Sequence, residues 1–203
     1  KDNVYVNSKF EAENVVLSAC KNNKLKASIY RIGNITNRFS DGIFQQNAGD
    51  NAFLNRITSI INLGNIPKEV MHHSLEFTPV DFCADFIVKL LSLQENNINV
   101  YHLYNNKYVS LHKLLTILQK YDINIKIVPM EKFEKEILSA PDKYFGITNY
   151  LTNVRNKDFN KIHLSNEYTN SLLKKQNLEW PDLSEEYISK IIDYLIKNKS
   201  KIF

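Results

Sequence analysis

Apolar residues in this chain change their spacing several times, from a three-to-four-residue period to short continuous runs and back, so the backbone alternates between helix and strand. Residues 8–22 carry Phe10, Val15, Val16, Ala19 and Cys20 at helical spacing. Residues 26–33 follow as a strand run, with Ala27, Ile29, Tyr30 and Ile32 closed by Gly33. Residues 34–50 hold turn formers and little periodicity. A helix is predicted over 51–63 with Gly64 as its left-handed cap, then an extended segment over 75–80 in which Pro79 argues for a sheet edge or strand end. Asp81 is placed to cap a helix over 81–93 whose apolar face is Phe82, Phe86, Ile87, Leu90 and Leu91. A strand over 100–103, a helix capped by Ser110 and carried by Leu114, Leu115, Ile117 and Leu118, and a strand over 125–128 continue the alternation. The last third is helical, over 132–138, over 166–176, and after Ser184, where Ile188, Ile191, Ile192 and Leu195 form the buried face; 143–164 has no settled pattern. This order specifies an α/β unit that finishes in a mostly helical lobe.

What the alternation lacks is as informative. A dinucleotide-binding sheet opens with a strand, a G-x-G-x-x-G type turn and a helix whose N-terminus receives the pyrophosphate. The chain has 5 glycines and none is grouped that way.

Composition narrows the function classes. With 43% hydrophobic and 24% charged residues over 203 positions, there is enough apolar side chain for a substantial core. The net charge of +4 comes from lysines scattered over helical faces, with arginine only at 31, 38, 56 and 155, which is a poor footprint for nucleic acid. Cys20 and Cys83 lie far apart within apolar helical patterns, so neither a disulfide framework nor a metal cluster is expected, and a reducing, cytoplasmic setting fits. No apolar run approaches the ~20 residues that span a bilayer, so no membrane is expected.

The sharpest chemical feature is Tyr5-Val6-Asn7-Ser8-Lys9 at the entry to the first helix. Four residues apart, the phenol and the ammonium share a helical face. A tyrosine with a reference pKa of about 10 exchanges protons poorly at neutral pH, and a neighbouring cation favours the phenolate and makes the group a usable general acid. Alone, such a pair is as readily a solvated helix face.

Several further segments agree with the catalytic reading. The Tyr5-x-x-x-Lys9 motif followed by the strand Ile29-Tyr30-Arg31-Ile32-Gly33-Asn34-Ile35 resembles the extended short-chain dehydrogenase/reductases. More narrowly, Tyr5 to Glu13, Arg31-Ile32-Gly33-Asn34, Glu76-Phe77-Thr78-Pro79-Val80-Asp81-Phe82-Cys83-Ala84, Tyr101-His102-Leu103-Tyr104-Asn105 and the Trp180-Pro181 tail are similar to the thioester reductase domains of nonribosomal peptide synthetases and carboxylic acid reductases. The resemblance implies the C-terminal part of an extended short-chain dehydrogenase Rossmann-like fold, with residues 1–38 in its core and 39–203 mainly a substrate-binding lobe. It implies Tyr5 and Lys9 as catalytic residues, and Tyr5, Lys9, Gly33, Asn34 and Ile35 as cofactor-binding residues, with NADPH as the cofactor. The expected reaction is release of a peptidyl or acyl thioester from the phosphopantetheine arm of an upstream carrier domain, as aldehyde or alcohol. The expected second partner is the N-terminal half of the same domain, which carries the glycine-rich loop; without it this chain is expected to be inactive.

Two other readings stay open. The chain is a non-catalytic module that docks substrate or carrier, or it is another extended family member such as a nucleotide-sugar epimerase, against which the Thr-Pro-Val-Asp segment and the Trp-Pro tail stand. Among single residues, Arg31 is expected in a structural ion pair, Gly33 as a close backbone approach to the nicotinamide, His72 and His73 as loop residues with no metal bound, and Trp180 as a packing anchor.

Overall fold

In the computed structural model, residues 4–22, 25–45, 48–93, 98–140, 147 and 164–198 are described. The elements run α1 (Val4–Lys21), β1 (Ala27–Ile32), β2 (Ile35–Thr36), α2 (Ala52–Leu63), β3 (Asn65–Pro67), β4 (Ser74–Leu75), β5 (Thr78–Pro79), α3 (Val80–Ser92), β6 (Ile98–Leu103), β7 (Val109–Ser110), α4 (Leu111–Gln119), β8 (Lys126–Val128), α5 (Met130–Ser139), α6 (Glu167–Lys174) and α7 (Glu185–Lys197). Short 3-10 turns occur at Ala48–Asp50 and Lys68–Val70.

Local signals set most of these boundaries. Asn51 Oδ1 accepts from Leu54 N to start α2, and Gly64, at φ +67°, ends it by donating its N–H to Ile60 O. Ser110 and Ser184 cap α4 and α7 in the same manner, accepting from Lys113 N and Tyr187 N. Strands then pair over long sequence separations. β1 lies parallel to β6 in register from Ala27 opposite Ile98 to Ile32 opposite Leu103, with Tyr30 stacked on Tyr101 at 5.4 Å. β2 pairs parallel with β5 and β3 parallel with β8, whereas β4 and β7 are antiparallel.

Two apolar clusters hold these pieces. The larger joins one face each of α2, α4, α5 and α7, around residues such as Leu54, Leu118, Phe133 and Ile188. The smaller packs Cys83, Phe86 and Leu90 of α3 against Tyr101 and Leu103 of β6, Leu173 of α6, and Trp180. Trp180 meets Phe86 edge to face at 4.6 Å and donates Nε1–H to Asn170 Oδ1, so it anchors the tail as expected.

Three expectations need correction. The first helix begins at Val4, and of its expected apolar face only Cys20 is buried; Phe10 and Val15 are 60% and 70% exposed. A helical period tells which residues share a face and leaves open whether anything covers it. Asp81 does not cap α3, which starts one residue earlier behind Pro79. Its carboxylate is used across the chain, accepting from Phe39 N at 2.9 Å and from Ser40 N and Oγ at 3.2 Å. The extended segment over 75–80 is two separate two-residue strands, with helix from Val80 onward. Residues 143–164 lie outside the described residues except Ile147, which is buried, and Leu164.

Candidate active site at the carboxyl ends of the parallel strands

The chain reverses between α1 and β1, so the start of the helix lies toward the end of the strand. The ion pair between Arg31 and Glu13 fixes their relative height, with a second bond from Arg31 Nε at 3.3 Å. Lys9 is one helical turn nearer the helix start than Glu13, about 6 Å along the axis. Lys9 is exposed, and Tyr5 occupies the turn before it. Arg31 is therefore an ion-pair residue, as its sequence position suggested; it also lies 3.1 Å from His102 Nε2 on β6.

Gly33, Asn34 and Ile35 form the continuous link between two parallel pairs. Gly33 N donates to Leu103 O at 2.9 Å, Asn34 O accepts from Thr78 N at 2.9 Å, and Ile35 sits opposite Thr78 in the β2–β5 pair. A side-chain cluster braces this link. Glu76 Oε2 accepts from Asn34 N at 2.8 Å and Asn34 Nδ2 at 2.9 Å, and Glu76 Oε1 accepts from the Thr78 hydroxyl. The Thr78 oxygen in turn accepts from Asn105 N at 3.1 Å, so one carboxylate ties together the ends of β1, β5 and β6. Burial raises the Glu76 carboxyl above the usual range, and the bonds from Thr78 and Asn34 oppose that rise.

Close approach explains the glycine. A Cβ on Gly33 would lie 2.5 and 2.6 Å from the two Glu76 oxygens and 2.6 Å from Tyr104 Cβ, so no other residue fits without moving them. Beside this contact is a cavity of about 310 Å³ walled by Ile32, Gly33, Glu76, Tyr104, Tyr108 and Leu164, with Arg31 and His102 also lining it. Tyr104 donates its hydroxyl to Leu164 O, and burial together with Tyr108 raises its phenol. Such a position, beyond the carboxyl ends of parallel strands, is where open α/β sheets take their ligands.

The structure thus joins Gly33, Asn34 and Ile35 into one stretch, and the helix that carries Tyr5 and Lys9 is tied through Glu13 to Arg31, two residues before it. Sequence reasoning passed over Glu76, Thr78, Tyr104 and Tyr108 as site residues. The alternation of Glu76 and Thr78 in the extended segment was the only signal, but nothing in it tells which polar group faces a cavity. His72 and His73 stand edge to face in a turn at 4.4 Å, and among the described residues no cluster of His, Cys, Asp and Glu could hold a metal ion. No helix of the described residues is long and apolar enough to cross a membrane.

Residues 1–87 match an NAD-binding family described as male sterility protein. The fold of the whole chain matches the thiolation-reductase di-domain of an archaeal nonribosomal peptide synthetase, with TM-score 0.79 and 31% identity over 98% of this chain and 42% of that one. In sequence and fold the chain is similar to a reductase domain of this kind. Its fold is also that of the terminal R domain of the myxalamid pathway, with TM-score 0.75 and 20% identity, covering all of this chain and 51% of that one. In sequence it is similar to a linear gramicidin synthase of Brevibacillus parabrevis, 26% identical over 201 residues, which is 95% of this chain and 4% of that protein. The chain therefore spans well under half of the archaeal and gramicidin relatives.

Proposed function

We propose that this chain takes part in NADPH-dependent reductive release of a carrier-bound peptidyl or acyl thioester. One observation supports the reading: the helix that carries Tyr5-x-x-x-Lys9 is tied by the Glu13–Arg31 ion pair to the strand that runs into the Gly33–Asn34–Ile35 link, where Arg31 and Gly33 line a cavity. In this reading residues 1–38 belong to the cofactor-binding core, and 39–203 build mainly the substrate lobe, from which β6 returns to pair with β1.

The residues present suit one end of the cofactor. The exposed ammonium of Lys9 suits the nicotinamide ribose, and the glycine at position 33 lets backbone approach a planar ring closely. The pyrophosphate end needs the glycine-rich turn that this sequence lacks, so it is assigned to the other half of the domain. Val4, Val6, Phe10, Val15, Leu25 and Ile32 are exposed along α1 and around β1, an apolar surface of the kind that half would cover.

When bound beside Lys9 and Gly33, NADPH would supply the hydride that the thioester carbonyl carbon takes up. Tyr5 donates its phenolic proton to the carbonyl oxygen, and the Lys9 ammonium favours the phenolate left behind. The resulting hemithioacetal breaks its C–S bond as its hydroxyl proton returns to Tyr5, giving an aldehyde. The carrier thiolate leaves and takes its proton from solvent. A second round would yield the alcohol. The partners are the carrier domain with its phosphopantetheine arm and the N-terminal half of the domain, in the cytoplasm.

The test is NADPH oxidation by the full-length protein with a carrier-bound or coenzyme A thioester. Tyr5→Phe is expected to lower turnover by roughly 10²- to 10⁴-fold, the size of a general-acid contribution. Turnover unchanged by Tyr5→Phe, or absent from the wild type, would sink the mechanism.

A further inference from the structure

We propose that a second cavity, at the amino end of β6, binds a small carboxylate with an apolar body. This site is separate from the candidate active site and does not depend on the reductase reading. The cavity holds about 290 Å³, at the small end of the range for ligand sites. Its polar lining is Asn99, Lys175 and Gln176, and its apolar lining is Leu93, Leu172 and the rings of Tyr101 and Tyr168. Asn99 and Tyr104 are separated by about 17 Å of extended chain, so the two cavities lie at opposite ends of one strand.

Asn99 is the residue that calls for a ligand. It is 8% exposed, and its side-chain nitrogen is buried with no hydrogen-bond partner among the described residues. Along β6 it shares a face with Tyr101, which lines the same cavity. The neighbouring strand does not supply the missing bond, since Ser28, opposite Asn99 in register, also has a buried hydroxyl without a partner. Buried polar groups are nearly always bonded, and one left unpaired costs about 1–3 kcal/mol. Lys175 and Gln176, just past the end of α6, complete the polar wall. Neither side chain makes an ion pair or hydrogen bond among the described residues. Two amides and an ammonium all offer N–H, and no Asp or Glu lines the cavity among the described residues. A donor set with one positive charge selects an oxyanion, because charge-assisted hydrogen bonds are the strong ones. Tyr101 and Tyr168, parallel at 6.3 Å, and the two leucines then cover the apolar body of the ligand, which a bare inorganic ion lacks.

Saturation-transfer NMR titration of the full-length protein tests this with three probes. These are 3-phenylpropionate, its uncharged amide 3-phenylpropanamide, and acetate, which keeps the charge and lacks the body. The acid is expected to bind roughly tenfold more tightly than either of the others. Lys175→Gln is expected to weaken the acid roughly tenfold and leave the amide unchanged. Lys174→Gln removes the same charge from an exposed lysine outside this cavity and is expected to leave all three affinities as they are. Asn99→Ala, checked for folding by its thermal unfolding curve, is expected to act as Lys175→Gln does; if it does not fold, the two lysine variants decide. Equal binding of acid and amide by the wild type overturns the inference, as do equal effects of the two lysine substitutions. Displacement of the acid by NADPH would assign it to the cofactor site and overturn the inference too. Thioester turnover is not part of this readout, so failure here leaves the reductase reading standing.

Discussion

Gly33 and Glu76 occupy one space, and each is intelligible only beside the other. Gly33→Ala would drive a methyl into the Glu76 oxygens and Tyr104 Cβ at about 2.6 Å or less. The expected cost is about 1–3 kcal/mol, the range for overpacking, seen as a lower midpoint in denaturant titration. Tyr187 gives a second residue-scale test. Its hydroxyl donates to Asn37 O at 3.1 Å and lies 2.7 Å from Thr36 Oγ1, wholly buried, and burial raises its phenol well above the ordinary value of 10.0. The native state therefore holds the proton longer than the unfolded chain. Its stabilising contribution is complete below pH 10 and is lost as pH rises beyond that value. The melting temperature should fall as pH rises above 10, and Tyr187→Phe should flatten that slope while lowering stability at pH 8 by about 1–3 kcal/mol through the buried groups it leaves unpaired. The sequence marked Gly33 for its place after a strand, but the carboxylate that demands it is 43 positions away, and no local pattern carries that information.

At the scale of elements, periodicity located the helices and misjudged one face. Phe86 on α3 and Phe10 on α1 look alike in sequence, each an aromatic residue at a helical repeat. Phe86 is 1% exposed against Trp180, whereas Phe10 stands in solvent. Phe86→Ala is expected to cost about 3–5 kcal/mol and Phe10→Ser to stay within about 0.5 kcal/mol, measured side by side by chemical denaturation of this chain. Strands of six residues, β1 and β6, were legible from their runs. The two-residue strands β2, β4, β5 and β7 were not, because two residues have no period and their pairing is decided by partners 34 to 43 positions distant. Asp81 belongs to the same class of miss: the helix it sits in is visible, but the loop at Phe39 and Ser40 that it holds is not.

For the whole molecule, the α/β order and the helical end could be read from the chain, since each depends on local spacing. Which strands lie parallel could not, because that depends on crossovers. Among the described residues β1 pairs with β6 alone, and the surface next to it carries exposed Val4, Phe10, Val15 and Ile32. Unpaired strand edges with apolar neighbours promote association. This chain by itself is expected to self-associate as concentration rises, in sedimentation velocity, and Phe10→Ser with Val15→Ser should reduce that tendency. A different consequence follows from Asn105. It is fully buried, gives its backbone N–H to Thr78 and its side-chain amide to Pro181 O, and so connects the tail to Glu76 and onward to Asn34. Four side chains in series transmit force much as a tie rod does. The tail and the strand ends are thereby coupled on the Glu76 side of the cavity.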